Sequence, residues 1–191
     1  NHPVPQPEIN RLLLQRALEG KNVVRLKGGD SFLFGRGGEE LELLEQHNIP
    51  FEVVPGVTSA LSVPAYAGIP VTHRDFTSSV HIITGHAKQN GQLNLDFEAL
   101  VRHRGTLVFL MSVSSTPMIL SGLMQAGMAE DMPAAMIERG TLPTQRKLVA
   151  TVGTLTRRMQ EEHITSPAIL VVGAVCALSD SFDWFSHTPL H

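Results

Sequence analysis

The chain has a single cysteine, no excess of basic residues and no long apolar run. With one cysteine among 191 residues, Cys176, it cannot form an internal disulfide, and a reducing cytoplasmic compartment fits. The formal net charge of −3 argues against a nucleic-acid-binding protein, because such proteins usually carry a basic balance. The apolar run 168–178 around Cys176 is too short to span a bilayer. We therefore expect a buried thiol and no membrane partner.

Several motifs of well-known catalytic or nucleotide-binding sites are absent as well. The sequence contains no G-x-x-x-x-G-K-[ST] phosphate loop and no G-x-S-x-G nucleophile turn. Residues 35–38 supply the first two glycines of the dinucleotide fingerprint G-x-G-x-x-G, but not the third. None of the nine histidines has the spacing of zinc ligands. A nucleotide-phosphate-binding domain, a hydrolase of that type and a metal site are therefore disfavoured.

Two segments each run from an apolar stretch into a turn of small residues. Val23–Leu26 leads into Lys27–Asp30, and Phe51–Val54 leads into Pro55–Ser59, with the amphipathic stretch Glu39–His47 between them. This order predicts strand, turn, helix, strand and turn, the repeating unit of a parallel α/β sheet. Ligands of open α/β sheets bind at the carboxyl ends of strands. The pattern therefore predicts a small-molecule site at these two turns.

Hydrophobic periodicity and turn residues predict an α/β protein of two domains, covering residues 1–76 and 77–191, with a linker near Arg74–Ser78. Helices are predicted from Pro7 to a stop at Gly20, and over Gly38–Gln46, Ser59–Tyr66, Phe97–Arg102, Pro117–Gln125 and Leu155–Glu162. Strands are predicted over Val23–Leu26, Phe51–Val54, Val80–Thr84, Thr106–Met111, Ala134–Glu138, Leu148–Val152 and Ala168–Val172. We expect the second domain to be mixed, with antiparallel edges. The opening at Asn1 resembles a loop inside a domain, so we expect an incomplete N-terminal domain.

Six motifs occur in order along the chain: VVRLKGGDSFLFGRGGEE, VPGVTSALSVPAYAGIPVTHRD, TGHA, TLVFLM, ERGT and TQR. Together they resemble the tetrapyrrole methylase family, and within it the members that methylate uroporphyrinogen III. The resemblance implies a two-domain tetrapyrrole methylase fold, with S-adenosyl-L-methionine in the interdomain cleft, and a homodimer. It also implies transfer of two methyl groups to the tetrapyrrole substrate to give precorrin-2, for siroheme and cobalamin biosynthesis, and S-adenosyl-L-homocysteine as the second product.

The same resemblance assigns the expected site residues. Gly28, Gly29 and Asp30 match the family's first cofactor loop, Leu33 an apolar contact after it, Thr58 and Ser59 the second turn, and Met111 and Gly140 cofactor contacts of the second domain. The catalytic base stays unassigned, because the acidic residue and the lysine that the family uses near the substrate are expected upstream of Asn1.

The substrate carries many carboxylates, so cationic side chains are expected around it. Arg36, which closely follows the Gly28–Asp30 loop, is the main candidate for substrate binding. His2, His73 and Arg74 are weaker candidates, each with a solvated or structural role as the alternative.

The sequence departs from the family in two places. The first strand of the family and its glycine- and proline-rich loop are missing before Asn1, and Ser31 stands where proline is usual. We therefore expect this chain alone to be weakly active. Two alternatives stay open: a methyltransferase acting on another precorrin carbon, and a truncated module that only binds the cofactor or dimerises.

Overall fold

The computed structural model of the chain describes residues 4–86 and 93–185. The chain divides into two compact units, which we call the first unit (residues 1–58) and the second unit (residues 59–191). The helix that begins at Ser59 thus belongs to the second unit. The domain boundary predicted between residues 76 and 77 stays a prediction.

The described part of the first unit contains two helices, α1 (Gln6–Leu18) and α2 (Gly37–Gln46). Proline suits the start of a helix, because the backbone N–H that it lacks would have no intrahelical partner there. Pro7 lies in the first turn of α1. Gly20 follows the last turn with a φ of 75°, which glycine adopts without strain. Gln6 and Asn10 of α1 donate hydrogen bonds to the Glu40 carboxylate and the Glu39 carbonyl of α2. Both helices confirm the sequence prediction.

The two strands predicted in the first unit are wrong, because neither segment forms a strand. Residues 21–27 and 51–58 have no strand assignment, and neither pairs with a neighbouring strand among the described residues. Val24, Leu26 and Val54 are 87%, 85% and 83% exposed. A β-branched run fits a pleated, half-buried surface, but a strand exists only where another strand supplies its hydrogen bonds. Both runs were predicted as strands from their apolar pattern, and the pairing that a strand requires could not be inferred from that pattern.

The second unit is built on a five-stranded sheet in the order β1-β2-β5-β3-β4. Its strands are β1 (Val80–Thr84), β2 (Thr106–Leu110), β3 (Pro133–Glu138), β4 (Arg146–Thr151) and β5 (Ala168–Val172). β1 and β2 are parallel, and the other three pairings are antiparallel. Val171 of β5 pairs with Val108 on one side and Ala135 on the other. The mixed sheet was predicted, but the antiparallel pairing reaches its centre rather than only its edges.

Four helices and one 3₁₀ helix accompany the sheet in the described part of the second unit. They are α3 (Ser59–Tyr66), α4 (Phe97–His103), α5 (Thr116–Gln125), α6 (Leu155–Glu161) and the 3₁₀ helix Ala174–Leu178. All four α-helices and all five strands lie within two residues of their predicted bounds. The 3₁₀ helix was not predicted, because its residues continue the apolar run of β5.

The core of the second unit lies between the sheet and these helices. Phe109, Met136 and Leu170, one from each of three strands, are fully buried and pack with Leu120 and Leu155 from the helices. Such close-packed interiors hold the backbone ends of the strands in fixed positions.

Cys176 is fully buried in the second unit, as the sequence predicts. Burial raises the pKa of its thiol to about 12, because a thiolate loses its hydration there. In the residues that the structure describes, no helix is long and apolar enough to cross a membrane.

Candidate functional site

The Asp30 carboxylate holds the first predicted cofactor turn in place. Its Oδ1 accepts hydrogen bonds of 2.9 Å from the amides of Phe32 and Leu33, and its Oδ2 accepts one of 3.1 Å from the Gly56 amide. The Gly56 amide is the main cause, followed by the other two amides, of a pKa below the usual range for the Asp30 carboxyl. The expected direct contact between Asp30 and a cofactor stays a prediction, whereas its structural role in joining the two turns is directly visible.

The two turns also touch through their glycines. A Cβ added at Gly56 would lie 2.7 Å from the Gly29 carbonyl carbon and closer still to its oxygen. Any side chain at position 56 would therefore push the turns apart. Gly29 has a φ of 76°, a left-handed conformation that favours glycine. The structure thus brings the Gly28–Asp30 turn and the turn before Thr58 together.

Gly28 has a different surrounding from its neighbours. A Cβ built there would meet no atom of the described residues within 4 Å, so packing in the first unit does not require glycine at this position. Gly28 is exposed, whereas Leu33 and Thr58 are half-buried. An exposed backbone at a turn can approach a ligand closely, which is one recognised reason for glycine there.

Arg36, the predicted substrate residue, lies just before α2 in a left-handed conformation with a φ of 58°. Its guanidinium makes two hydrogen bonds to the Glu39 carboxylate, Nε to Oε1 at 2.8 Å and Nη2 to Oε2 at 2.6 Å. Both side chains are about half exposed, so solvent screens the pair. The Arg36 guanidinium is therefore already oriented to pair with a carboxylate, and in the structure that carboxylate belongs to Glu39.

Sequence reasoning missed the Glu40 carboxylate, which is only 4% exposed. Its Oε1 accepts from Gln6 at 3.0 Å, Lys27 at 3.0 Å and Arg25 at 3.2 Å. Burial alone would raise the pKa of Glu40. The hydrogen bonds from Gln6 and Lys27, together with the positive charges of Arg25 and Lys27, outweigh burial and lower the pKa overall. The signal was available only in part: Arg25 lies in the predicted strand Val23–Leu26 and Lys27 begins the turn after it, but nothing in the local sequence indicates that either contacts Glu40.

In the second unit, Met111 follows the last residue of β2. It has a φ of 55° and is 52% exposed, an unusual combination for a large apolar residue. The next residue in the sequence, Ser112, is buried. Its carbonyl accepts hydrogen bonds from the Ser115 and Thr116 hydroxyls at 3.1 and 2.8 Å. Left-handed non-glycine residues cost free energy and concentrate at functional sites. The turn is thus fixed from within while the methionine side chain stays accessible.

Gly140, in the turn after β3, packs against α3. A Cβ there would lie 2.9 Å from Val63 Cβ and closer still to both Val63 methyl groups. Arg139 and Thr141, on either side of Gly140, have φ values of 48° and 70°. Because α3 begins at Ser59, the structure places the Gly140 turn beside the helix that carries another predicted site residue.

Of the weaker candidates, His73 makes contacts within the chain, whereas Arg74 is exposed and its substrate role stays a prediction. His73 Nδ1 accepts from the Asp75 amide at 3.2 Å, and its ring packs edge-on against Phe76. His2 lies outside the described residues. Over residues 4–86 and 93–185, no group of three or more His, Cys, Asp or Glu side chains is arranged to hold a metal ion. The assignment of each predicted site residue to cofactor or substrate stays a prediction.

Comparison with known proteins gives a consistent result for sequence and fold. The family described as tetrapyrrole (corrin/porphyrin) methylases matches residues 1–156. The porphyrin biosynthesis protein HemD of Ruminiclostridium josui is 62% identical over 99% of the chain and 38% of its own length. Siroheme synthase 2 of Klebsiella pneumoniae is 51% identical over 97% of the chain and 40% of its own length. The chain thus spans about two fifths of these relatives.

A solved structure matches the fold over most of both chains. The uroporphyrin-III C-methyltransferase of Thermus thermophilus, crystallised with S-adenosylhomocysteine, superimposes with a TM-score of 0.77 at 36% sequence identity. The match covers 91% of this chain and 75% of the Thermus chain.

Proposed function

The chain belongs to the tetrapyrrole methylase family, and we propose that the protein carrying it transfers methyl groups from S-adenosyl-L-methionine to two carbons of uroporphyrinogen III. The products are precorrin-2 and S-adenosyl-L-homocysteine. The observation that carries the proposal is the junction of the two family turns, Gly28–Asp30 and Pro55–Thr58, through the Asp30–Gly56 hydrogen bond. The Thermus protein, which is a uroporphyrin-III methyltransferase that holds S-adenosylhomocysteine, supports the same reaction.

The residues of the first unit fit the binding of an amino acid and a ribose. The sulfonium methyl of the cofactor is already electrophilic, so the protein mainly has to orient it toward the attacking carbon. The exposed backbone of Gly28 and the neighbouring turn residues Gly29 and Thr58 can form hydrogen bonds to the polar ends of the cofactor. Asp30 holds that backbone in place by its three amide contacts, and Leu33 supplies an apolar neighbour.

The residues of the second unit fit the binding of a flat, apolar group. Met111 presents a half-exposed side chain at a strand end, and a flexible thioether packs well on an aromatic ring such as adenine. Ser59 at the start of α3 and Gly140 in the neighbouring turn supply backbone groups for further contacts. We assign these three residues to the cofactor.

Arg36 is assigned to the carboxylates of the tetrapyrrole. Bidentate pairing with a carboxylate is the geometry that a guanidinium favours, and Glu39 already makes that pair within the chain. A substrate carboxylate would replace Glu39 at little cost, since an exposed ion pair contributes little free energy. The base that removes the ring proton after methylation is not among the residues assigned.

We further propose a homodimer that acts in the cytoplasm and supplies siroheme or cobalamin synthesis. The buried, unpaired Cys176 fits a reducing compartment, and the siroheme synthase and porphyrin biosynthesis relatives support the pathway. Light scattering of the full-length protein would give the number of copies, and one copy per particle would contradict the dimer.

The cofactor assignment is tested by titrating the full-length protein with S-adenosylhomocysteine in a calorimeter, beside Met111→Ala and Met118→Ala. The two methionines are matched, being 52% and 49% exposed, but only Met111 is assigned to the site. We expect binding by the wild type, about tenfold weaker binding by Met111→Ala, as for the loss of one apolar side-chain contact, and no change for Met118→Ala. No binding by the folded wild type would overturn the proposed function.

A further inference from the structure

Three successive carbonyls at the C-terminal end of α3 accept hydrogen bonds from distant side chains. The Ala65 carbonyl accepts from Trp184 Nε1 at 3.0 Å, the Tyr66 carbonyl from Gln145 Nε2 at 3.1 Å, and the Ala67 carbonyl from Ser179 Oγ at 2.7 Å. The last carbonyls of a helix lack intrahelical partners. Side chains from two separate segments of the chain therefore fix the end of α3.

Gln145 differs from the other two donors because its amide makes a second contact. Its Oε1 accepts from the Thr141 amide at 2.7 Å while its Nε2 donates to Tyr66. Thr141 has a φ of 70°, so this acceptor stabilises a backbone conformation that a threonine rarely adopts. The backbone of Gln145 is fixed as well, because its backbone N–H donates to the Leu142 carbonyl at 2.8 Å.

The chemistry of the link requires a carboxamide. One end must accept from a backbone amide and the other must donate to a backbone carbonyl, and of the long side chains only glutamine offers both at once. Glutamate would keep the acceptor and lose the donor. Methionine, of similar length, would lose both.

We propose that Gln145 is a positioning residue of the methyl-transfer site, which links the turn containing Gly140 to α3 and so sets the position of Ser59 relative to Gly140. This inference rests on the proposed function, because it takes these two residues to contact the cofactor. Gln145 itself acts through the backbone on both sides and needs no contact with the ligand. Val63 and Gly140 already pack tightly, so a small shift of the turn would be transmitted to α3.

The test compares Gln145→Glu and Gln145→Met with Trp184→Phe in the full-length protein. The Phe variant removes the donor to Ala65 and leaves the Thr141 contact intact. We expect S-adenosylhomocysteine to bind about tenfold more weakly to both Gln145 variants, the scale of one or two lost neutral hydrogen bonds. We expect less than about a twofold change for Trp184→Phe. Thermal melts of all variants separate the loss of affinity from the loss of stability.

A pH series gives a readout that a purely structural role would not move. A protonated glutamic acid can donate to the Tyr66 carbonyl, so the affinity of Gln145→Glu should recover toward that of the wild type as the pH falls toward about 4.5. Gln145→Met should show no such recovery. Unchanged affinity in both Gln145 variants, or equal weakening in Trp184→Phe, would overturn the inference while the proposed function stands. Absence of binding by the wild type would overturn both.

Discussion

The Asp30 carboxylate and the Gly56 amide are joined by a hydrogen bond of 3.1 Å within the first unit. The bond connects two turns that are 26 residues apart in sequence, and both turns carry the motifs typical of the family. Two further amides, of Phe32 and Leu33, donate to the same carboxylate. The charge of Asp30 is thus used to organise backbone that the proposed function assigns to the cofactor.

Replacing Asp30 by asparagine should destabilise the first unit in a pH-dependent way. The side-chain NH₂ would face the Gly56 amide or those of Phe32 and Leu33, placing two donors together. Because the pKa of Asp30 is lowered by folding, its stabilisation is present above the unfolded pKa of about 4 and is lost as the pH falls through the folded value. Thermal melts of wild type and Asp30→Asn from pH 7 to 3 should therefore converge at the acid end. A constant difference, or one as small as in the control Asp131→Asn, at an exposed aspartate of the second unit, would contradict this.

An alanine at position 140 should displace α3, since its Cβ would overlap the side chain of Val63. Overpacking of this kind costs about 1–3 kcal/mol. Chemical denaturation should show that loss in Gly140→Ala and recovery of most of it in Gly140→Ala with Val63→Ala, after allowing for the cavity left by Val63→Ala alone. Two independent, additive losses would show that Gly140 and Val63 do not meet.

Glu40 should be the most sensitive charged residue of the first unit. Gln6, Arg25 and Lys27 all donate to its carboxylate, and Lys27 is only 13% exposed. Glu40→Gln leaves a partly buried cation without its counter-charge, and we expect a loss of about 2–3 kcal/mol in the free energy of unfolding. Urea titration checks this, with Glu42→Gln, an exposed residue of the same helix, as the control. Equal behaviour of the two variants would contradict the account.

Arg36→Gln should impair the substrate and spare the cofactor. We expect the KM for uroporphyrinogen III to rise about tenfold, as for the loss of one charge-assisted pair, with the affinity for S-adenosylhomocysteine unchanged. Arg16→Gln is the matched control, because Arg16 pairs with Glu19 at the same spacing and with similar exposure. A rise in KM in both variants would point to a general effect of charge, and no rise in either would remove Arg36 from the substrate site.

Local patterns in the sequence sufficed for the α-helices and strands of the second unit and failed for the two strands expected in the first unit. Val80–Thr84 and Ala168–Val172 are short apolar runs bounded by polar or turn residues, and both are strands with those bounds. The run Val23–Leu26 has the same character, but a strand also requires a partner, which no local pattern supplies. The antiparallel insertion of β5 between β2 and β3 likewise depends on pairing between distant residues.

The candidate site was predictable only in part. The two turns of the first unit, Asp30 and Met111 were singled out from local motifs. Of the turns concerned, only the one that contains Met111 follows a strand in the structure, and the assignment of these residues to a cofactor stays a prediction. The Glu40 cluster and the Gln145 link were not predicted, because both depend on residues far apart in sequence. The hydrogen bonds to Glu40 join residues 13 to 34 positions apart, and the one from Gln145 to Tyr66 joins residues 79 positions apart. In both cases the chemistry of each residue was visible, while its partner became known only through the fold.

The most direct test of the central claim is to incubate the full-length protein with uroporphyrinogen III and methyl-labelled S-adenosyl-L-methionine and to count the methyl groups on the product by mass spectrometry. The account predicts two labelled methyl groups on ring carbons of the tetrapyrrole, with release of S-adenosyl-L-homocysteine. An active, cofactor-binding protein that leaves uroporphyrinogen III unlabelled, or that labels only another precorrin, would contradict it.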